Sequence, residues 1–322
     1  MTAVLDWLSN FLYAAILAGV PLLFGTLGEI LTEKAGNMNL GVEGMMYMGA
    51  VFGFMGGYYC DSVTMAILLA FFGGLLGAAI YAFLTVTLKA NQNVTGLTLT
   101  IFGTGLANML GTNMMNNSAT GTAVCSDMIR AAFRPMDLGF LTDIPYLGKL
   151  LFNHSLLTYI GLVLALIAAW YLNHTSHGLN LRAVGENPAA ADAAGINVSA
   201  YKYVHILLGG GISGLGGAYI ALVTCGGSWT YNCVGGQGWI AVALVIFASW
   251  SPAKAIIGSM VFGALSVLRL YIPATVIDIP ASVFSMVPFL ATCLILVLSS
   301  IRMKRERQQP QACGVNYFRE ER

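Results

Sequence analysis

The stretch FLYAAILAGVPLLFGTLGEILTEKAGNMNLGVEGMM, residues Phe11–Met46, decides the fold of this chain. Its first half, Phe11–Gly28, carries no charged side chain and approaches the ~20 apolar residues that a helix needs to cross a bilayer. No Lys or Arg precedes Lys34, so the basic start of a cleavable signal peptide is missing. We therefore expect a retained membrane span.

The composition extends this interpretation to the whole chain. Of the 322 residues, 57% are hydrophobic and only 9% are charged, whereas a soluble domain carries about 25% charged residues. A chain so poor in charge could not cover a water-facing surface, but a lipid-facing surface needs no charge. The net charge of +1 gives no reason to expect a nucleic-acid partner.

Apolar segments recur from end to end and predict an all-α, polytopic transmembrane helix bundle of about nine spans, within a range of about eight to ten. The seventh is short, which indicates a broken or re-entrant helix, and the second begins with polar Asn39 and Glu43. Residues 1–301 would form one membrane domain and residues 302–322 a basic cytoplasmic tail. The nine predicted spans are Trp7–Ile30, Leu40–Tyr59, Val63–Leu88, Val94–Gly111, His154–Leu172, Val204–Cys225, Trp239–Trp250, Ala255–Tyr271 and Ile279–Ile301.

Small residues recur at four-residue spacing within these segments, as at Gly49, Gly53 and Gly57. Lipid gives helices little hydrophobic reason to associate, so close backbone approach supplies the packing. Such stripes predict a tight bundle and say little about the solute.

The positive-inside rule predicts a cytoplasmic C-terminus, because Arg302, Lys304, Arg305 and Arg307 follow the last span. Counting the spans backward places eleven of the fifteen Lys and Arg residues inside and the N-terminus outside. A re-entrant crossing near residues 36–44 would move the N-terminus to the other side, and this alternative stays open.

No segment predicts catalysis, a metal site or a cofactor. The GxGxxG match at residues 209–214 lies inside an apolar helix, whereas a dinucleotide site needs this motif between a strand and a helix. His174 and His177 have no third metal ligand nearby. A disulfide between Cys225 and Cys233 would need an oxidising compartment, and free thiols are the favoured alternative.

Polar side chains inside or between the apolar segments are the candidates for a solute path. An intramembrane carboxylate such as Glu43 is costly and is a functional candidate by default. The glycine-rich Gly235–Ala248 echoes Asn39–Gly44, and paired interrupted helices in two halves often frame a midplane site. Alternatively, these side chains only bond neighbouring helices. The predicted path residues are Asn39, Glu43, Asn93, Thr98, Asn108, Gln237 and Trp239.

The polar stretch Gly178–Ile196 predicts a short helix with both ends marked. Asn187 suits the N-cap, Pro188 the first helical position and Gly195 a left-handed stop. Only Ala and Asp lie between, so the helix has no apolar face of its own and is too short to be stable alone. It needs a docking partner, unless it is an ordinary interfacial connector.

At these residues the chain resembles the permease subunits of bacterial ABC importers, in the branch for simple sugars and nucleosides. The segments Gly28–Met46 and Arg182–Ile196 carry the resemblance, and Asn39–Met46 is more similar to purine-nucleoside permeases than to ribose permeases. The outer loop Asn113–Asn117 and the segment Ser249–Ser251 depart from the pattern.

This resemblance implies a transport subunit of the bacterial cytoplasmic membrane that translocates nucleosides or related simple sugars and does not itself hydrolyse ATP. Its implied partners are a cytoplasmic ABC ATPase, a second permease subunit, an extracytoplasmic solute-binding lipoprotein and membrane lipid. The loop of residues 178–203 would be cytoplasmic and seated on the ATPase. The implied coupling residues are Arg182, Glu186, Asn187, Pro188, Asp192 and Gly195.

Two other classes of protein compete with this interpretation. One is an ion-coupled secondary transporter of a polar solute, with Glu43 as the proton or cation carrier, and the other is a membrane-embedded enzyme. A secondary transporter has no need for a capped cytoplasmic docking helix, and an enzyme should show a catalytic cluster. The sequence therefore favours the ABC permease, without naming its solute.

Overall fold

The computed structural model describes residues 2–137, 139–142, 144–272, 281–301 and 309–319. Within these residues there is no β-strand, only a single antiparallel bridge between Val124 and Ser228. The basic residues of 302–308, on which the predicted orientation partly rests, lie outside the described residues.

Helices account for most of the described chain. The longer ones are α1 (Thr2–Lys34), α2 (Val42–Cys60), α3 (Val63–Ala82), α4 (Gln92–Asn116), α7 (Leu156–His174), α8 (Ser176–Glu186), α10 (Val198–Tyr219), α11 (Gln237–Phe247), α12 (Pro252–Tyr271) and α13 (Ala281–Ile301). The short ones are α5 (Asp127–Ala132), α6 (Leu147–Phe152) and α9 (Pro188–Ala193). Single π-helical turns, Phe83–Thr87 and Ile220–Thr224, extend α3 and α10, and Gly139–Leu141 forms a 3-10 turn.

Each of the nine predicted apolar segments is helical in the structure. In the described residues, six helices are long and apolar enough to cross a membrane, among them Val4–Lys34 of α1. The number of crossings stays a prediction, because α11 has only 11 residues and α2, which carries Glu43 in its first turn, is not among these six helices. Helix α1 runs past the predicted end at Ile30, so Glu33 as well as Glu29 lies within it, and the chain turns at Gly36, whose φ is +78°.

Helices α1, α2, α3 and α10 form the centre of the bundle, and they approach one another through glycine. A Cβ added to Gly214 would lie 2.5 Å from the Ala70 carbonyl oxygen and 2.9 Å from the Gly74 Cα. A Cβ on Gly53 would lie 2.9 Å from the Cβ atoms of Ala70 and Ala218. Because these gaps hold no side chain, the predicted packing role of the small-residue stripes is confirmed.

The residues that the charge rule places in the cytoplasm gather at one end of the bundle. Lys34 is close enough to Arg182 and Glu186 for their charges to interact, and Lys202 is similarly close to Lys89. At the other end, the Lys149 ammonium donates a hydrogen bond to the Asn10 side chain at 2.5 Å. This clustering agrees with the charge bias, while the side on which each end lies remains a prediction.

We expect Gly217→Ala to lower the stability of the bundle, because the added Cβ would overlap the Met46 carbonyl oxygen. Overpacking of this kind costs about 1–3 kcal/mol. The matched control is Gly105→Ala, another helical glycine, which has nothing within 4 Å of the added Cβ and should be neutral or slightly stabilising. Thermal unfolding in detergent measures both, and equal midpoints for the two variants would contradict the packing argument.

Candidate functional site

Glu43 joins the two interrupted segments that the sequence analysis singled out. It lies in the first turn of α2 and is 4% exposed. Its Oε1 accepts a hydrogen bond from the Gly236 N–H at 2.8 Å, and its Oε2 accepts one from the Gly238 N–H at 2.6 Å. The carboxylate therefore binds the first N–H groups of α11, which have no partner inside that helix.

A second set of hydrogen bonds holds the loop that enters α11. The Gly235 N–H donates to the Tyr47 hydroxyl at 3.1 Å, and that hydroxyl donates to the Asn232 side chain. The Asn232 N–H donates to the Asn108 Oδ1 at 3.1 Å, so α4 takes part as well. Glu43 and Asn108, both predicted path residues, are thus partly engaged in structural hydrogen bonds.

The turn between α1 and α2 is organised by the carboxylates of α1. The Asn39 N–H donates to the Glu29 Oε1 at 2.9 Å, and the Asn39 Oδ1 accepts from the Gly41 N–H at 2.9 Å. Glu33 accepts a hydrogen bond from the indole N–H of Trp250, which the sequence analysis noted only as an unusual residue. A signal was available, because a buried Trp N–H needs an acceptor.

An open groove runs along α4 and holds about 770 Å³. Thr100, Thr104, Asn108 and Thr112 line it at four-residue intervals as one polar stripe, and Asn113 and Asn116 line it near the end of the helix. Of the predicted path residues, only Asn108 is among those lining it. The three threonines were missed, although the four-residue period of polar residues in an apolar segment is visible in the sequence.

The other predicted path residues lie elsewhere. Asn93 and Thr98 are exposed near the start of α4, and the Thr98 hydroxyl donates to the Val94 carbonyl at 2.8 Å. Gln237 lines a separate cavity of about 490 Å³ between α1, α11, α12 and α13, and its Oε1 is buried without a partner among the described residues. Trp239 is half-buried in the first turn of α11.

The predicted caps of the short helix α9 are confirmed. The Asn187 Oδ1 accepts from the Ala190 N–H at 3.0 Å, Pro188 occupies the first turn, and Gly195 has φ +86°. Ala190, Ala193 and Ala194 are exposed, which leaves a smooth outer surface. Contrary to the prediction that α9 buries nothing, Ala191 is 3% exposed and packs in a small core with Val184 and Val198.

Of the three remaining coupling candidates, Asp192 is half-buried in α9. Arg182 and Glu186 lie on the preceding helix, α8, which the sequence analysis did not predict as a separate element. Glu186 is exposed at its end. Arg182 is half-buried, and its Nε finds no hydrogen-bond partner in the described part of the chain.

No cluster of three or more metal-ligating side chains occurs in the described residues. The glycines of the GxGxxG match lie in α10 as packing contacts, where a Cβ on Gly209 would lie 2.6 Å from the Thr32 hydroxyl oxygen. Cys225 and Cys233 are free thiols, and burial raises the pKa of Cys233 to about 12, which keeps this thiol protonated and unreactive.

Comparison with known proteins places this architecture. Residues 11–298 match the family described as branched-chain amino acid transport system / permease component. The chain is 34% identical to the nucleoside ABC transporter permease protein NupC of Lactococcus lactis, over 94% of this chain and 95% of the relative. It is 31% identical to the guanosine ABC transporter permease protein NupQ of Bacillus subtilis, over 98% of each.

Two further matches are also to ABC transporter proteins. The chain is 36% identical to the "Putative glucose ABC transporter permease protein TsgC13" of Haloferax volcanii, over 83% of this chain and 78% of the relative. A solved structure, "An inward-facing conformation of a putative metal-chelate type ABC transporter", covers 91% of this chain and is itself covered to 85%, with a TM-score of 0.50 and 15% identity, so it supports the fold alone.

These findings support an ABC importer and not an ion-coupled secondary transporter. In such a transporter the permease is a non-enzymatic subunit, the ATPase is a separate partner, and a binding protein belongs to the system in general. The chain is a multi-pass membrane protein and belongs to the permease-component family of ABC transporters.

Proposed function

We propose that this permease imports nucleosides or related simple sugars, which an extracytoplasmic solute-binding lipoprotein delivers to it. The observation that carries the proposal is the polar stripe of α4. Thr100, Thr104, Asn108 and Thr112 line an open groove, where the Thr100 hydroxyl donates to the Leu40 carbonyl at 3.0 Å and the Asn108 Oδ1 accepts from the Asn232 N–H. Within the described part of the chain, the Thr104 and Thr112 hydroxyls and the Asn108 NH₂ group still need partners, and polar groups facing hydrocarbon without a partner are costly. This face therefore calls for protein or water against it, which supports a solute path covered by a second permease subunit.

The chemistry of the groove suits a solute rich in hydroxyl groups. Threonine hydroxyls and the Asn108 amide can donate to and accept from sugar hydroxyls, and the exposed Tyr231 at the rim offers a ring face for a base. The full-length likeness to NupC and NupQ favours a nucleoside, whereas the likeness to TsgC13 favours a hexose.

The same proposal assigns the remaining predicted residues. Asn39 and Glu43 shape the interrupted helices beside the path, with Asn93, Thr98 and Trp239 nearer its margins and Gln237 in the separate cavity between α1, α11, α12 and α13. The C-terminus and the loop of residues 178–203 lie in the cytoplasm of a bacterial cell, where α9 docks on the ATPase. Arg182, Glu186, Asn187, Pro188, Asp192 and Gly195 shape that docking surface.

Uptake in cells tests the solute class. We expect a strain lacking this permease to lose uptake of radiolabelled guanosine, and a plasmid copy to restore it. Glucose and leucine serve as parallel solutes, because the relatives and the family description name these classes. Loss of glucose or leucine uptake with normal guanosine uptake would overturn the nucleoside assignment.

The α4 stripe can be tested with a change that preserves shape. We expect Thr104→Val to lower the uptake rate by about twofold to tenfold, since one hydrogen bond contributes about 0.5–1.5 kcal/mol. Phe102→Leu, on the same helix but absent from the groove lining, is the matched control and should transport at the normal rate. Unchanged uptake by Thr104→Val at normal membrane abundance would remove the stripe from the solute path.

The coupling assignment predicts a difference between two substitutions at Gly195. No atom lies within 4 Å of a Cβ added at Gly195, so a substitution there causes strain only through the left-handed backbone conformation. Gly195→Val should uncouple transport from ATP hydrolysis, because a β-branched residue is strained at positive φ by about 1–2 kcal/mol. Gly195→Asn should retain most transport, because Asn tolerates this conformation.

Proteoliposomes with the ATPase and the binding protein measure both activities, and membrane abundance shows that the variants insert. Equal transport by the valine and asparagine variants would show that the shape of this helix end does not matter to coupling.

A further inference from the structure

The described part of the C-terminus, residues 309–319, lies against the same end of the bundle as α9. The Ala312 N–H donates to the Gly185 carbonyl at 3.0 Å, at the end of α8. Ala312 is 9% exposed, and its Cβ would lie 3.6 Å from a Cβ added to Gly36. We call residues 309–319 the C-terminal strap.

Asn316 fastens the strap to the turn between α3 and α4. Its Nδ2 donates to the carbonyls of Lys89 at 2.6 Å and Ala90 at 3.2 Å. Its Oδ1 accepts from the Gln92 Nε2 at 3.2 Å. One side chain therefore satisfies two backbone carbonyls beyond the helix end and a buried amide, which fixes this part of the strap in register.

The next residue, Tyr317, reaches α9. Its hydroxyl donates to the Asp192 Oδ2 at 2.9 Å, and its ring packs on the small core that contains Ala191. The Arg319 Nε lies 3.2 Å from the same carboxylate oxygen, but its side chain is 76% exposed. An exposed ion pair contributes little, so the Tyr317 contact is the more important of the two.

Helix α9 depends on such contacts because it has only six residues and could not persist alone in water. Its buried face is a single alanine, Ala191, with Asp192 beside it. The strap packs on Ala191 and hydrogen-bonds to Asp192. It also builds one wall of a cavity of about 500 Å³ next to α9, whose charged lining residues are Lys89, Asp192 and Arg319.

We propose that the C-terminal strap positions α9 for the ATPase and forms one flank of the surface on which the ATPase docks. Tyr317 is the positioning residue, and it acts through Asp192. The proposal rests on the coupling role of α9 proposed above. Lys89 contributes a positive charge to the cavity beside the strap, which Asp192 and Arg319, paired with each other, also line.

The experiment uses full-length permease reconstituted with its ATPase and binding protein in proteoliposomes. Tyr317→Phe removes only the hydroxyl, and we expect it to lower the solute transported per ATP hydrolysed by about twofold to tenfold, as expected for one lost hydrogen bond. The melting temperature of the isolated permease should stay unchanged. Val315→Thr, on an exposed residue of the same strap, is the matched control and should behave as wild type.

A double-mutant comparison separates positioning from general structural damage. Asp192→Ala removes the acceptor, so Tyr317→Phe should have no further effect in that background. Additive effects, or a loss of transport that only follows the amount of folded permease, would overturn the proposal.

The two proposals fail differently. If Gly195→Val uncouples transport while Tyr317→Phe equals wild type, the strap has no positioning role and the coupling role of α9 stands. If Gly195→Val does not uncouple transport, the coupling role fails and the strap proposal fails with it.

Discussion

Backbone N–H and C=O groups at bilayer depth must find partners within the protein, because hydrocarbon offers none. A continuous helix meets this demand by itself, but a helix that begins inside the bundle does not. Helix α11 begins against the buried Glu43, whose carboxylate accepts hydrogen bonds from the Gly236 and Gly238 N–H groups at the start of that helix. Glu43 is an acidic residue that is costly to bury, and its role in binding the backbone at the start of α11 is the first reason for its presence in α2.

The same demand accounts for the other buried acidic residues. Glu29 binds the backbone at the turn into α2, and Glu33 accepts the indole N–H of Trp250 just after α11. Ser249 and Trp250 both have positive φ there, at 51° and 53°, a conformation that needs support from its surroundings. The buried carboxylates of the first helices therefore fix the positions of segments some 200 residues later in the chain.

Close packing at the centre constrains where a solute could pass. Where a glycine of α10 faces a glycine of α3, with a notional Cβ within 2.9 Å of the opposite Cα, no space is left for a polar side chain or a solute. The polar stripe instead lies on the open face of α4, at the edge of the subunit. An edge position is consistent with a path completed by a second subunit, and single residues within one chain then form only part of its wall.

The sequence alone determined the elements that depend on local rules. Apolar runs predicted nine segments that are helical in the described residues, and Asn187, Pro188 and Gly195 predicted α9 because caps act within a few residues. The family resemblance also followed from local motifs. Tertiary structure decided what those elements contact. Two of the path candidates, Glu43 and Asn108, accept hydrogen bonds from segments far along the chain, and Tyr317 reaches Asp192 across 125 positions. Among the described residues, Asn39 by contrast bonds only within the turn between α1 and α2 and the adjoining ends of these helices. The periodicity of a helix shows which residues share a face but not which partner that face meets, because the partner depends on how distant helices pack.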